Sequence, residues 1–300
     1  MEKIRGKLCY HFPWSAVKDE LVPTLFRDFA DHGAESLCII DAWCIRMAED
    51  SEFQKKLQEW GQNAGLLFTG SHAPWGRDFD LNIAPDLPQY GRVVDMHRDL
   101  LKKTADLGAK VYVCHVGNPV YGPGKGLADI PPLHDNARRM LEQLLPTAEK
   151  AGISLAIENG MAPTMDIPEL RAYLKELSSP ALGICFDTGH AHVVENPGHR
   201  LKGRYDSVFD GWFGDPPEYQ NMCAELLEHI VAVHLHDNDG WRDTHSLPGD
   251  GTVNWETLFC QLASAPKLKD LEVEVNAIKH RVTISRLCGV CSSLFSKYLG

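Results

Sequence analysis

Eight short, β-rich apolar runs alternate with segments of helical period along the whole chain, and no linker, internal repeat or low-complexity tract separates them. The runs are Leu8–Tyr10, Ser36–Ile40, Leu66–Thr69, Lys110–Cys114, Ile153–Ile157, Leu182–Phe186, Ile230–Val233 and Leu271–Val275. Their near-continuous apolarity suits parallel strands covered on both faces. Between them helices are predicted over about 16–31, 51–63, 90–107, 135–151, 167–177, 217–229, 255–264 and 281–298. Gly108 and Gly152 stand where helices stop, and Asp135, Asp166 and Asn254 stand where a helix needs an N-cap. Repeated βα units with right-handed crossovers build a doubly wound open sheet or a closed barrel. Eight units in 300 residues fit the barrel better, so the expectation is α/β, a single (β/α)8 TIM barrel domain over residues 1–300.

Composition narrows the function. The chain is 44% hydrophobic, enough to bury a large core, and its 41 acidic residues against 30 basic ones give a formal charge of −11. A field of that sign repels polyanions, which makes nucleic acid an unfavoured partner. No stretch approaches the ~20 apolar residues of a membrane span, and the first residues lack a signal-peptide core. Nine scattered cysteines, an odd number, read as reduced core residues of a cytoplasmic protein. Cys288 and Cys291 have redox or zinc spacing but no second such pair to support it. The oligomeric state is left open, a homo-oligomer included.

In a barrel of this kind the active site forms at the C-terminal ends of the strands. Ionisable residues gather there. Ser71-His72 follows the third run, His115 the fourth and Glu158 the fifth; the sixth delivers Asp187-x-x-His190 and the seventh His234-Leu-His236-Asp237. A loop beyond adds Asp243-x-His245 and Pro248-Gly-Asp-Gly251, and Glu274 sits in the eighth run. Glu272 is read as facing solvent. Six strand ends converging on one mouth would crowd carboxylates that repel one another unless a cation lay among them. Mixed imidazole and carboxylate donors suit Zn²⁺, Mn²⁺, Co²⁺ or Fe²⁺. Cys114 is not expected as a ligand, because its side chain alternates away from that of His115.

This set of residues, in this order and spacing, resembles the xylose isomerase-like barrel superfamily over about residues 66–276. That superfamily includes sugar phosphate isomerases and epimerases, ketose 3-epimerases, inosose isomerases and dehydratases, and endonuclease IV. The resemblance implies a metal held by Glu158, Asp187, His234 and Glu274 in the epimerase pattern. In the endonuclease IV pattern it implies up to three ions, with His72, His115, His190, Asp243 and His245 as further ligands. It implies Glu158 and Glu274 as the acid/base pair of an isomerase or epimerase that acts on a small sugar, sugar phosphate or polyol through a metal-stabilised enediolate. His72 and His190 then contact substrate oxygens if they are not ligands, and His236 contacts substrate or supports a ligand. Two alternatives stay open: an endonuclease IV-like phosphodiesterase, and a dehydratase or lyase on an inosose-type substrate. The ketose 3-epimerases carry an arginine soon after the equivalent of His234, and none stands here; Arg242 is too far along.

Loop composition favours the small substrate. Arg77, Lys125, Arg200, Lys202, Arg204 and Arg242 are outnumbered by aspartates, among them Asp78, Asp80, Asp129, Asp206, Asp210, Asp215, Asp237, Asp239, Asp243 and Asp250. Cleavage of DNA would call for the reverse. Trp75, Trp212, Trp241 and Trp14 lie in or near strand-end loops, where an aromatic face packs on a sugar or on the loop itself. The Gly- and Pro-rich stretch from Glu195 to Glu218 is the candidate lid, and Arg200–Arg204 within it could take a phosphate.

Overall fold

A computed structural model describes residues 7–117, 129–196, 198 and 217–298. Its eight strands are β1 (Lys7–Tyr10), β2 (Ser36–Ile39), β3 (Leu67–His72), β4 (Val111–Cys114), β5 (Ser154–Glu158), β6 (Leu182–Asp187), β7 (Ile230–Leu235) and β8 (Asp270–Val273). Each pairs in parallel with its neighbour in sequence and β8 returns to β1, which closes the barrel. The expected single (β/α)8 barrel is therefore the observed fold.

The helices among the described residues are α1 (Val22–Asp31), α2 (Asp41–Glu49), α3 (Ser51–Ala64), α4 (Tyr90–Leu107), α5 (Ile130–Ala151), α6 (Ile167–Leu177), α7 (Thr188–Val194), α8 (Met222–Leu226), α9 (Trp255–Leu262) and α10 (Ile284–Phe295). Gly108 and Gly152 end α4 and α5 in the left-handed conformation, which a residue without Cβ adopts at no steric cost. Asn254 caps α9 by accepting from the Thr257 amide. Asp135 is not a cap: α5 begins a turn and a half earlier, behind Asp129, on Pro131 and Pro132, whose fixed φ is already helical. Two helices carry no advance signal. α2 is separated from α3 by Asp50 alone, which caps α3 through the Glu52 amide. α7 starts on Asp187, whose carboxylate accepts from the His190 amide.

The barrel interior changes character along its axis. Val111, Val113, Ala156, Cys185, Val231 and Ala232 form a small apolar cluster of their own below the mouth. Outside the strands, one continuous core joins the helices to the sheet. Eight of the nine cysteines are buried and none forms a disulfide; Cys260 is exposed, against the expectation for it. No described helix is long and apolar enough to cross a membrane.

Candidate metal centre

All nine expected ligands converge at the C-terminal mouth, and they sort into three adjoining groups. His72, the last residue of β3, and His115, just past β4, reach Glu158 at the end of β5: Nε2 of His115 stands 3.1 Å and Nε2 of His72 3.6 Å from Glu158 Oε2. The other Glu158 oxygen is 3.4 Å from Nδ1 of His234 on β7, which also lies 3.6 Å from Asp187 and 3.1 Å from Glu274. On the far side Asp243 Oδ2 is 3.4 Å from His190 Nε2 and 3.1 Å from His245 Nε2. Two of these groups, His72–His115–Glu158 and His190–Asp243–His245, bring their donor atoms within 4.8 Å of one another.

Tetrahedral ligands about 2.0–2.1 Å from a zinc ion stand roughly 3.3 Å apart, close to the 3.4–3.6 Å separations here, while the 3.1 Å contacts of His115 and His245 are hydrogen bonds. The cluster also leaves buried polar atoms without hydrogen-bond partners: both ring nitrogens of His234, Asp243 Oδ1 and Glu274 Oε2. Desolvated polar atoms of that kind are rare in proteins and costly. The residues present therefore fit a divalent ion. Three of the histidines are also held at Nδ1 by a backbone carbonyl, Ala73 for His72, Asn159 for His190 and Glu274 for His245, although Nδ1 of His190 also stands 3.4 Å from Glu158. Such contacts fix the ring and the tautomer.

Electrostatics agree. Burial should raise the carboxyls, but His234 and His115 hold Glu158, and His234 and His245 hold Glu274, well below the usual carboxylate range. Burial should likewise depress the histidines; instead Glu158 lifts His72 to about 9, and Glu274 and Asp243 lift His245 to about 9. The cluster is a set of carboxylates compensated by imidazolium protons. His245 sits at φ 51°, in the left-handed region that a branched side chain seldom adopts, with its backbone carbonyl held by the Asn276 amide.

Other expectations resolve one by one. His236 is fully buried behind the cluster, its Nε2 3.0 Å from both oxygens of Asp187 and its ring stacked 3.9 Å from that of His245, so it holds these two side chains rather than facing the mouth. Asp237 supports the loop: its carboxylate accepts from the Asn238, Gly249 and Val253 amides and from the Trp255 indole. Gly251 comes so close to that carboxylate that a Cβ could not fit, which explains the Pro-Gly-Asp-Gly turn. Trp75 is 56% exposed at the rim, its ring 5.6 Å from that of His115. Trp14 is buried against Trp43 and belongs to the core. Trp212, Lys125, Arg200–Arg204 and nearly all of the candidate lid lie outside the described residues. Cys114 is buried in the outer core, away from the ligands, as alternation requires.

Glu272 corrects the expectation outright. It lies two residues before Glu274 and so shares its face of the strand. It is 1% exposed inside the barrel, where Oε1 bonds His11 Nδ1 at 2.9 Å and Oε2 stands 3.6 Å from His234 Nε2. His11, just beyond β1, was missed for want of any motif around it.

A model of the xylose isomerase-like TIM barrel family matches residues 26–279. The chain belongs to that family. An uncharacterized protein of Methanocaldococcus jannaschii is 28% identical over 193 residues, 61% of this chain and 56% of that one. A probable endonuclease 4 of Mycoplasmoides gallisepticum is 26% identical over 63% of this chain and 57% of its own length. The matches thus span little more than half of these curated relatives. Among solved structures, a D-tagatose 3-epimerase-like protein superposes with a TM-score of 0.68 at 20% identity, covering 97% of this chain and 99% of that one. A xylose isomerase-like barrel protein of Mycobacterium smegmatis in complex with magnesium gives 0.71 at 13% identity, with 98% of each chain covered. At these identities the structures share the fold.

Proposed function

We propose that this chain is a divalent-metal-dependent isomerase or epimerase of a small sugar, sugar phosphate or polyol. The observation that carries the reading is the convergence of two carboxylates, Glu158 and Glu274, on His234 Nδ1 at 3.4 and 3.1 Å. A pair so close can serve one bound substrate. A divalent ion held by Glu158, Asp187, His234 and Glu274, when bound, supplies Lewis acidity to a carbonyl and the hydroxyl beside it. One glutamate takes the proton from the carbon next to the carbonyl. The C–H electrons form the carbon–carbon double bond of an enediol(ate), and the carbonyl oxygen takes the charge. For isomerisation the same glutamate, now protonated, gives its proton to the neighbouring carbon; for epimerisation the second glutamate, once protonated from solvent, delivers a proton to the opposite face while the first releases its own to solvent. Both carboxyls are held low enough to be ionised at neutral pH, as a base must be.

The surroundings suit a neutral substrate. Among the described residues the ion pairs of the site carboxylates are made with histidines, with no lysine or arginine in reach. Trp75 offers an exposed ring at the rim for the apolar face of a sugar. The epimerase-like solved structure of the same fold is consistent with this class.

The test is a panel of ketoses, aldoses, inososes and their phosphates incubated in heavy water with zinc, manganese or cobalt. Deuterium should enter one substrate at a carbon next to the carbonyl, and Glu274→Gln should stop it while the fold persists. Exchange that survives in Glu274→Gln would remove that residue from the chemistry.

A second reading, phosphodiester hydrolysis, is favoured by one observation: the flanking groups His72–His115–Glu158 and His190–Asp243–His245 are complete, so the mouth has donors for three ions. Strand breakage of abasic duplex DNA at moderate salt would establish it, and intact DNA would retire it.

A further inference from the structure

We infer that Glu272, held by His11, is a positioning residue that aims His234 at the metal centre. The inference rests on His234 being a ligand. Three of the cluster's histidines are backed by a fixed backbone carbonyl, which leaves the opposite nitrogen for the ion. His234 has no such carbonyl. It is also turned the other way round, with Nδ1 among Glu158, Asp187 and Glu274 and Nε2 directed down the barrel. There Nε2 has no hydrogen-bond partner, and the charged atom facing it is Glu272 Oε2 at 3.6 Å.

The setting gives Glu272 few alternatives. It is buried on β8, and its second oxygen is occupied by His11 Nδ1 at 2.9 Å. His11 is 21% exposed at its side chain and ties the carboxylate to β1, across the seam where the barrel closes. A carboxylate anchored at one oxygen and directed at an imidazole with the other favours the proton on Nε2. That leaves the Nδ1 lone pair for an ion, as carboxylates behind metal-bound histidines do. The strand spacing delivers both parts: Glu274 and Glu272, two residues apart, meet opposite edges of the same ring. Glu272 is 1% exposed and meets His234 from below, so its effect on chemistry passes through that ring.

The experiment is a cobalt titration of the full chain against a competing chelator, with ¹⁵N-imidazole NMR of the protein as the second readout. Glu272→Leu keeps the volume and removes the acceptor. Its cobalt affinity should fall roughly 10–100-fold, the usual cost of losing such a partner. Glu272→Gln, which retains an amide oxygen, should recover part of that loss, and His11→Asn should fall between wild type and Glu272→Leu. The His234 signals of the metal-loaded wild type should report a proton on Nε2, and those of Glu272→Leu a weakened preference. Should the leucine variant fail to fold, Glu272→Gln and His11→Asn carry the same test. A wild type that binds cobalt while all three variants bind it equally, with unchanged His234 signals, overturns the inference alone. A wild type that binds no cobalt overturns the ligand reading and the inference with it.

Discussion

Two parts of the same barrel differ in what fills the space around their strand ends. Around β1, β2 and the start of β3, aromatic side chains interlock: Trp14 stacks on Trp43 with ring centroids 4.9 Å apart, and Phe26 meets both rings as well as Phe68. From the end of β3 to just past β8, the corresponding ends carry His72, His115, Glu158, Asp187, His234 and Glu274. None of the nine ligands comes from β1 or β2. The first part gains stability from burial and satisfied packing. The second gives stability up, gathering desolvated charge that its own histidines only partly compensate. One side of the barrel thus holds the fold while the other gathers the candidate site, and Glu272 with His11 is where the two meet.

The division can be broken by mutation. Trp43→Ala removes a fully buried ring from the aromatic part and should cost about 3–5 kcal/mol of stability. Metal uptake per folded molecule should not change, as read by thermal melting and metal content of the native fraction. Loss of metal from folded protein would mean that the two parts are not separable. Glu158→Gln strikes the other side. It stands against a histidine of each of the three groups, His115, His234 and His190, and should lower divalent-ion affinity by more than the roughly 10–100-fold of an outer partner, with melting of the metal-free protein little changed. A collapse of the fold instead would make Glu158 a structural residue.

Proton linkage gives a smaller effect. In the metal-free protein, acidic neighbours raise His72 and His245 to about 9. A histidine raised in the folded state contributes stability that is fully present below its unfolded value of about 6.5 and lost as pH climbs through 9. The metal-free chain should therefore lose stability between about pH 6.5 and 9. Ion binding, which must displace those protons, should strengthen over the same interval. Melting curves with and without zinc across that range would diverge; parallel curves would show that these histidines are not ligands.

A further pH effect is expected deep in the barrel. Asp270 is buried beside Thr69, whose hydroxyl it accepts, and burial pushes its carboxyl up to about 7. Its contribution to stability is present below the unfolded value of about 3.9 and fades as pH rises through 7. Asp270→Asn should be more stable than wild type above pH 7, and the difference should shrink in acid. An unchanged difference across the range would show that Asp270 does not titrate there.

Much of this was legible in the sequence because the fold repeats one unit. Continuous apolar runs can serve only as covered strands, and the first ionisable residue past each run then falls at the mouth. What stayed hidden depended on contacts across the barrel. Asp187, a candidate ligand, is also a helix cap, so α7 begins where a loop was expected. Asp135 stands where a cap was expected, but α5 opens earlier, on Pro131 and Pro132 behind Asp129. His236 and Asp237 could not be told apart from ligands by spacing, since their role is set by neighbours on other strands. Glu272 was within reach, for its spacing from Glu274 already places both on one face. His11 was not, because only the closure of β8 onto β1 brings it there.

The central claim is that these nine side chains form a metal centre. Metal analysis of the chain purified without added metal, repeated after incubation with zinc, manganese or cobalt and removal of excess, tests it most directly. The account expects at least one divalent ion per chain, one for the isomerase and two or three if the flanking groups are also filled, with the content lost in Glu158→Gln. A folded chain that takes up none of the three metals would contradict it.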